Sequence, residues 1–374
     1  MRVNKVVYCQ ARTCPFCKER DLVHDEERSQ GKVSFDLRIS RSSIAAVATR
    51  YRCHWQRCQR CGRSFLPRAY TNKRSLGHSF AAWAIHQYIA NRVTFENLAA
   101  TAKECFSLPI DFRRIYDFKA RLAHFYAPTY KSLLEKLVSG TLLHADETTL
   151  NLKKSKCYVW VFTNMEEVVF VYRPDRNASF LHDLLKDFQG VLVTDFFTGY
   201  DSLKCPQQKC LVHLIRDLND ALWANPFDAA LRTTCTNFGR LLRNIIATVD
   251  RFGLKTRYLN KHKLEVEEFF DEMVGQVFES DVATTLSKRM GKYRSELFTF
   301  LDHDGIPWNN NNAEHAIKHF AKYRRLVNGR VTQPGVEDYL KLLSLCETCR
   351  YKEIGFLRFL LSKERDIDQF AAGK

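Results

Sequence analysis

Between residues 141 and 200 the chain changes its hydrophobic period twice, and this limits its fold more than any other feature. TLLHADETTLNL, KCYVWVFTN and EEVVFVYRP follow one another closely, rich in β-branched and aromatic residues, and read as three strands. ASFLHDLLKDF then reads as a helix and GVLVTDF as a fourth strand. This succession makes an α/β sheet the expected core.

The flanks differ. Residues 1 to about 66 are Cys-rich, and Val33, Phe35, Leu37 and Ile39 alternate as a strand does. Residues 74 to about 138 read as helices. From about 214 to 300 the pattern is helical throughout. Phe238, Leu241, Leu242, Ile245, Ile246 and Val249 form one apolar stripe there, and Leu264, Val266, Phe269, Phe270, Met273, Val274 and Val277 another. Such stripes are core packing rather than a cofactor site. A C-terminal helix set, Val336 to Leu361, follows the Pro334–Gly335 break. At 374 residues the chain can hold two or three domains.

The charge balance is unusual: 58 Lys+Arg against 42 Asp+Glu, a net +16. That excess calls for a polyanionic partner, and nucleic acid is the usual one. No apolar run approaches the roughly 18 residues that span a bilayer; FAAWAI is among the longer ones, and His86 ends it. The N-terminus, MRVNKVVYCQAR, lacks the apolar core of a signal peptide, so a cytoplasmic chain is expected. Thirteen cysteines without a secretory signal favour reduced thiols and metal sites over a disulfide framework.

CPFC (Cys14, Cys17) and CQRC (Cys58, Cys61) are two C-x2-C knuckles. Each turns two thiolates toward one point, and two together make a closed tetrahedral zinc site. The gap between them is long, and the strand pattern at 33–39 fills it as the hairpin of a zinc ribbon would. Cys9, Cys53 and His54 are possible substitutes or a partial second site; unrelated buried thiols are the alternative.

VTFENLAATAKECFSLPIDFRRIYDFKARLAHF contains two helical patterns around the break Ser107–Pro109. Thr94 can cap the first and Asp111 the second. Arg113, Arg114, Lys119 and Arg121 decorate the second, as a recognition helix in a major groove requires. An ordinary helical hairpin is the competing reading.

Two acidic points end strands: Asp146 and Glu147 in HADETT, and Asp195 in VTDF. Alternation aims only one of the first pair at a site, and Asp146 is the choice. A third acid, Glu314, opens the helix after the asparagine run WNNNN, with Lys318, Lys322, Arg324 and Arg325 following on it. Asparagine suits a loop that ends in an N-cap, so the helix is expected to start near Asn312. Alone, Glu314 could be an i,i+4 partner of Lys318. With two other acids at the edge of one sheet it can hold two Mg²⁺ (or Mn²⁺) ions, since hard cations want oxygen ligands. The Asp195–Glu314 interval, 119 positions (314 − 195), is filled by the helical stretch.

HADETT, VYRPDRNAS, VLVTDFFTGYDSL, CLVHLIRDL, NNNNAEHAIK and SLCETCRYKEIGFLRFLL resemble the sequence blocks of insertion-sequence transposases of family sixty-six. The resemblance covers roughly residues 140 to 362, and the order of zinc ribbon and helix-turn-helix ahead of it is also similar. It implies a DDE transposase with Asp146, Asp195 and Glu314 as catalytic and metal-binding triad, acting on transposon-end and target DNA. The expected fold class is an α/β ribonuclease-H-like catalytic core with an all-helical insertion, preceded by a zinc ribbon and a helix-turn-helix region. The expected segments are 1–68 (ribbon), 69–138 (helix-turn-helix), 139–217 (core, first part), 218–305 (insertion) and 306–374 (core, second part). A homo-oligomer is expected. The competing functions are a structure-selective nuclease of the same fold and a non-catalytic DNA-binding regulator.

Two weaker features remain. Cys210-x2-His213 and Cys346-x2-Cys349 could together bind a second zinc, or be core thiols at helical spacing. Trp308 could stack on a distorted base or pack under its loop.

Overall fold

The computed structural model describes residues 3–373. They form two compact units, one from the described residues of 1–125 and 353–374, the other from Tyr126–Lys352.

The first unit opens with β1 (Lys5–Tyr8), β2 (Leu22–Ile39), β3 (Ile44–Cys58) and β4 (Ser64–Phe65). β2 and β3 make one long antiparallel hairpin, from Ile39 opposite Ile44 to Leu22 opposite Cys58, with an irregularity between Asp25 and Ser29. Only its 33–39 portion was legible. The remainder, LVHDEERSQGK, is largely exposed and shows no alternation; the backbone ladder carries it, with Arg28 over the Trp55 ring and Lys32 over the Tyr70 ring. β1 pairs parallel with β3, and β4 antiparallel.

Four helices follow: α1 (Arg68–Thr71), α2 (His78–Ile89), α3 (Phe95–Phe106) and α4 (Phe112–Phe125). The apolar FAAWAI run lies in α2 and is buried throughout. Phe80 meets Phe118 of α4, and Trp83 meets Phe106 of α3. The hairpin supplies the cap of α2, because Asp36 Oδ1 accepts from Phe80 N at 2.8 Å. A Cβ on Gly77 would stand 2.1 Å from that carboxyl, so only glycine fits there. Both expected caps are present: Thr94 accepts from Asn97 N, and Asp111 from Arg113 N. Ser107 ends α3 in the left-handed region.

The second unit begins with α5 (Ala127–Val138) and holds β5 (Leu142–Asn151), β6 (Lys156–Thr163), β7 (Val168–Arg173), α6 (Phe180–Leu184), β8 (Val191–Thr194) and β9 (Gln207–Lys209). The sheet order is β7-β6-β5-β8-β9. The first three strands are antiparallel, and β8 and β9 run parallel to β5. The β7 edge is closed by α14 (Gln333–Tyr351): Phe170 N donates to Ser344 and Val168 N to Thr348. Covering the edge in this way removes a template for aggregation.

Between β9 and that closing helix run α7 (Leu211–Ala224), α8 (Ala229–Phe252), α9 (Thr256–Leu259), α10 (Lys263–Val274), α11 (Asp281–Lys292), α12 (Arg294–Leu297) and α13 (Asn311–Val327). Their common core takes Phe238, Leu241, Leu242 and Ile245 from one stripe, and Val266, Phe269, Phe270 and Met273 from the other. Leu264, Val274 and Val277, assigned by periodicity to the second stripe, are exposed. Pro334 and Gly335 lie inside the first turn of α14, where proline's missing N–H costs nothing. The expected helix set over 336–361 is α14 followed by α15 (Phe356–Ser362); α15 and α16 (Ile367–Ala372) belong to the first unit, where His78 Nε2 bonds Leu360 O at 2.7 Å. Among the described residues no helix is long and apolar enough to cross a membrane.

Candidate metal centres and nucleic-acid interface

Cys14, Cys17, Cys58 and Cys61 converge with all four sulfurs within 4.8 Å of one another. Cys14 Sγ lies 3.8 Å from Cys61 Sγ, and Cys17 Sγ 3.5 Å from Cys58 Sγ. Tetrahedral zinc with sulfur bonds of ~2.3 Å sets its ligands about 3.8 Å apart, so the set can hold that ion. The two knuckles repeat one local device. Lys18 N donates to Cys14 O and Gly62 N to Cys58 O, and both Lys18 (φ 64) and Gly62 (φ 69) are left-handed. Cys9 and Cys53 instead pack with Tyr70 in a separate apolar cluster. With His54 they make no metal-sized group among the described residues, which corrects the partial second site.

The carboxylates meet from three elements. β5 and β8 run parallel with His144 opposite Val193. Asp146 lies two residues past that pair within β5, and Asp195 two residues past it, just beyond the end of β8, so the register brings them to neighbouring places in the sheet. Glu314 lies in the first turn of α13, which packs across β5 and β6. The Asp146 carboxyl is pushed up to about 8, first by burial and then by the negative charge of Asp195, with Glu147 and Glu314 adding to it. Glu147 points elsewhere. It is buried, takes Arg176 Nε at 2.9 Å and Tyr200 Oη at 3.0 Å, and so serves an internal ion pair. The three acids are not among the groups whose ligand atoms all lie within 4.8 Å of one another. A pair of ions about 3.5–4 Å apart needs a wider frame than one ion does.

Three side chains of the asparagine run, those of Asn309, Asn310 and Asn312, have distinct partners. Asn310, fully buried, is the N-cap residue of α13, yet its side chain does not cap. It donates from Nδ2 to Ala145 O at 2.9 Å and meets His144 Nδ1 through Oδ1 at 3.0 Å. Burial holds the His144 imidazole neutral, at about 4, so its Nδ1–H is the donor. The N–H of Asn310 donates to Cys210 Sγ at 3.2 Å, and its carbonyl accepts from Glu314 N. Asn309 supplies the capping oxygen instead, accepting from Asn311 N. Asn312 donates to Asn164 O and accepts from Tyr351 Oη. The helix therefore starts at Asn311, and Asn310 ties it to the strand that bears Asp146. Trp308 is partly buried and packs against the helical core.

The basic residues divide. Arg113 and Arg114 are exposed on α4, and Arg114 with Arg121 lines a cleft that Arg74 completes. Arg74 carried no signal of its own in the sequence. Lys119 is only 2% exposed, its ammonium over the Tyr116 ring, so its assignment as a phosphate contact is corrected: that face of α4 packs inward. On α13, Lys318, Lys322 and Arg325 are exposed. Arg324 is tied to β5 through Thr148 Oγ1 and Thr149 O, and holds the helix to the sheet.

The C-x2-H pair at α7 does not meet Cys346 and Cys349, which are buried on α14. Cys210 and His213 group with Glu314, within 4.8 Å of one another.

Residues 73–337 match a family model described as Transposase IS66 family. No curated protein matches the chain.

Proposed function

From the chain's membership of the IS66 transposase family, which the match over residues 73–337 shows, we propose a DDE transposase that cleaves transposon-end DNA and joins the freed 3′-OH to target DNA. The observation that carries this reading is the electrostatic meeting of Asp146, Asp195 and Glu314 from β5, the end of β8 and α13. The strand order β7-β6-β5-β8-β9, three antiparallel then two parallel, supports a ribonuclease-H-like core.

Asp146, Asp195 and Glu314 are the residues that would hold divalent cations, Mg²⁺ or Mn²⁺. A buried carboxyl kept neutral by its neighbours fits that role, because a cation supplies the positive charge the site lacks. When bound, such ions lower the pKa of water and clamp the attacking and leaving oxygens of an in-line displacement. Asn310 positions Glu314 against the strand carrying Asp146, and Glu147 is kept from competing by Arg176 and Tyr200. Exposed Lys318, Lys322 and Arg325 on α13, and Arg74, Arg113, Arg114 and Arg121 beside α4, are the phosphate contacts. α3 and α4 act as the helix-turn-helix and the four-cysteine knuckle as a zinc ribbon, within a cytoplasmic homo-oligomer.

The test is a plasmid assay with the purified chain, Mg²⁺ and DNA carrying the transposon ends. Joined product is expected from the wild type, and neither nicking nor joining from Asp195→Asn, which still binds ends. Cleavage without joining would replace the transposase with a nuclease. Specific binding with no chemistry in either protein would replace it with a regulator.

A further inference from the structure

Cys210 opens α7, His213 lies one turn on, and Glu314 faces them from α13. His213 Nδ1 and Glu314 Oε1 stand 3.7 Å apart, too far for a hydrogen bond. Both atoms are sealed from solvent, and neither has a hydrogen-bond partner among the described residues. Two unsatisfied atoms, each able to offer a lone pair and facing one another across a gap, leave room for a cation between them.

From this geometry we infer that Cys210, His213 and Glu314 form a second transition-metal site, of the kind that takes zinc. An imidazole nitrogen and a carboxylate oxygen bound to one zinc lie about 3.4 Å apart at the tetrahedral angle and about 4.2 Å apart when opposed, and the observed gap falls between. The third donor is a thiol, which favours zinc and disfavours magnesium. The Cys210 sulfur already accepts from Asn310 N at 3.2 Å, the type of outer hydrogen bond that orients a metal-bound thiolate. Three protein ligands leave the fourth position open, and zinc binding would release the thiol proton.

The site shares a ligand with the proposed chemistry, and its consequence rests on that reading although its existence does not. A Glu314 drawn to Cys210 and His213 by zinc has at most one oxygen left for the set with Asp146 and Asp195, and its place is then fixed by the zinc. Zinc at this position would hold the third carboxylate away from magnesium, an inhibitory site built into the catalytic helix.

The experiment is metal analysis of the full-length chain after equilibration with zinc chloride and dialysis. About two zinc ions per chain are expected, one for each ligand set. Cys210→Ser and His213→Ala should each lose one ion, while Cys346→Ser loses none. A wild type with a single zinc, removed by Cys58→Ser, overturns the inference; so does a second zinc that survives both variants. If Cys210→Ser fails to fold, His213→Ala decides, since that side chain is 28% exposed and tolerates truncation better. Added zinc should also slow Mg²⁺-dependent cleavage by the wild type, and slow His213→Ala less relative to its own zinc-free rate. A chain that binds the second zinc but never cleaves DNA keeps this site and sinks the transposase chemistry. A chain that cleaves but binds one zinc does the reverse.

Discussion

Cys14, Cys17, Cys58 and Cys61 come from two turns 44 positions apart (58 − 14), whereas Asp146, Asp195 and Glu314 come from three elements across 168 (314 − 146). The thiols are already at ligand spacing, held by two copies of one left-handed turn. The acids stand in a wider frame, and burial together with the charge of Asp195 pushes the Asp146 carboxyl up to about 8. A neutral thiol cluster can close on itself without an ion. Three carboxylates cannot, because each approach raises the cost of charging the next. The contrast matches the two tasks proposed for them: a structural ion is enclosed, while a pair of working ions must leave room for phosphate.

The largest effect that would break this contrast is at the thiols. Cys58→Ser, or a strong chelator, should unfold the knuckle outright, since a structural zinc contributes on the order of 10 kcal/mol of folding energy in small domains. Circular dichroism and thermal melting would register it, and an unchanged melt would mean the cluster is only packed thiols.

Next are the acids. Asp146→Asn, Asp195→Asn and Glu314→Gln should each lower cleavage by roughly 10³-fold or more without loss of folding, and the losses should not add. Glu147→Gln should do the opposite, retaining chemistry while destabilising the fold by about 1 kcal/mol, because it weakens the charge-assisted bond to the half-exposed Arg176. If Glu147→Gln abolished cleavage and Asp146→Asn spared it, the two roles would have to be exchanged.

A smaller effect concerns pH. The folded Asp146 carboxyl binds its proton from its ordinary 3.8 up to about 8, a window in which the unfolded chain has released it. The folded state therefore holds more protons there, and metal-free stability should fall as pH climbs through the window. Denaturant melts near each end of that range would show it. Added Mg²⁺ or the Asp146→Asn substitution should flatten the slope, and a metal-free slope of opposite sign would contradict the assignment of burial and repulsion.

The smallest effect sharpens the knuckle side. Lys18 and Gly62 occupy the same left-handed position in the two turns, and a Cβ on Gly62 meets nothing within 4 Å. Gly62→Ala should cost about 1 kcal/mol through backbone strain alone, and Lys18→Gly should return a similar amount. Equal and opposite shifts in zinc-loaded melting would establish the turns as equivalent.

What was readable in the sequence follows the same division. The knuckles and the strands β5 to β8 are legible because two-residue cysteine spacing and short runs of β-branched and aromatic residues are local signals. β9 is not, since QQK has no apolar pattern; Gln208 is buried through its bonds to Leu297 O and Phe300 N, which only tertiary structure supplies. Lys119 was misplaced because a helical wheel orders residues around an axis without saying which side packs. Propensity reads the asparagine run as a cap, and Asn309 caps the helix while Asn310 gives its amide to β5. Cys210 and His213 were noticed for their spacing, and their partner Glu314 lies 101 positions from His213 (314 − 213), beyond any spacing rule.

The stitch at Asn310 has a consequence for how this chain can vary. Ala145, His144 and Cys210 hold residue 310 directly, and Leu211 N bonds Trp308 O, so the place of Glu314 is set at the rim of the sheet. The helices between α7 and α13 enter and leave at points fixed independently of their own length. Loop-closure cost grows only slowly with the residues enclosed. That helical body is therefore a tolerant cassette: it can be lengthened, shortened or cut at an exposed turn, and the two ends of the site still find each other through four hydrogen bonds.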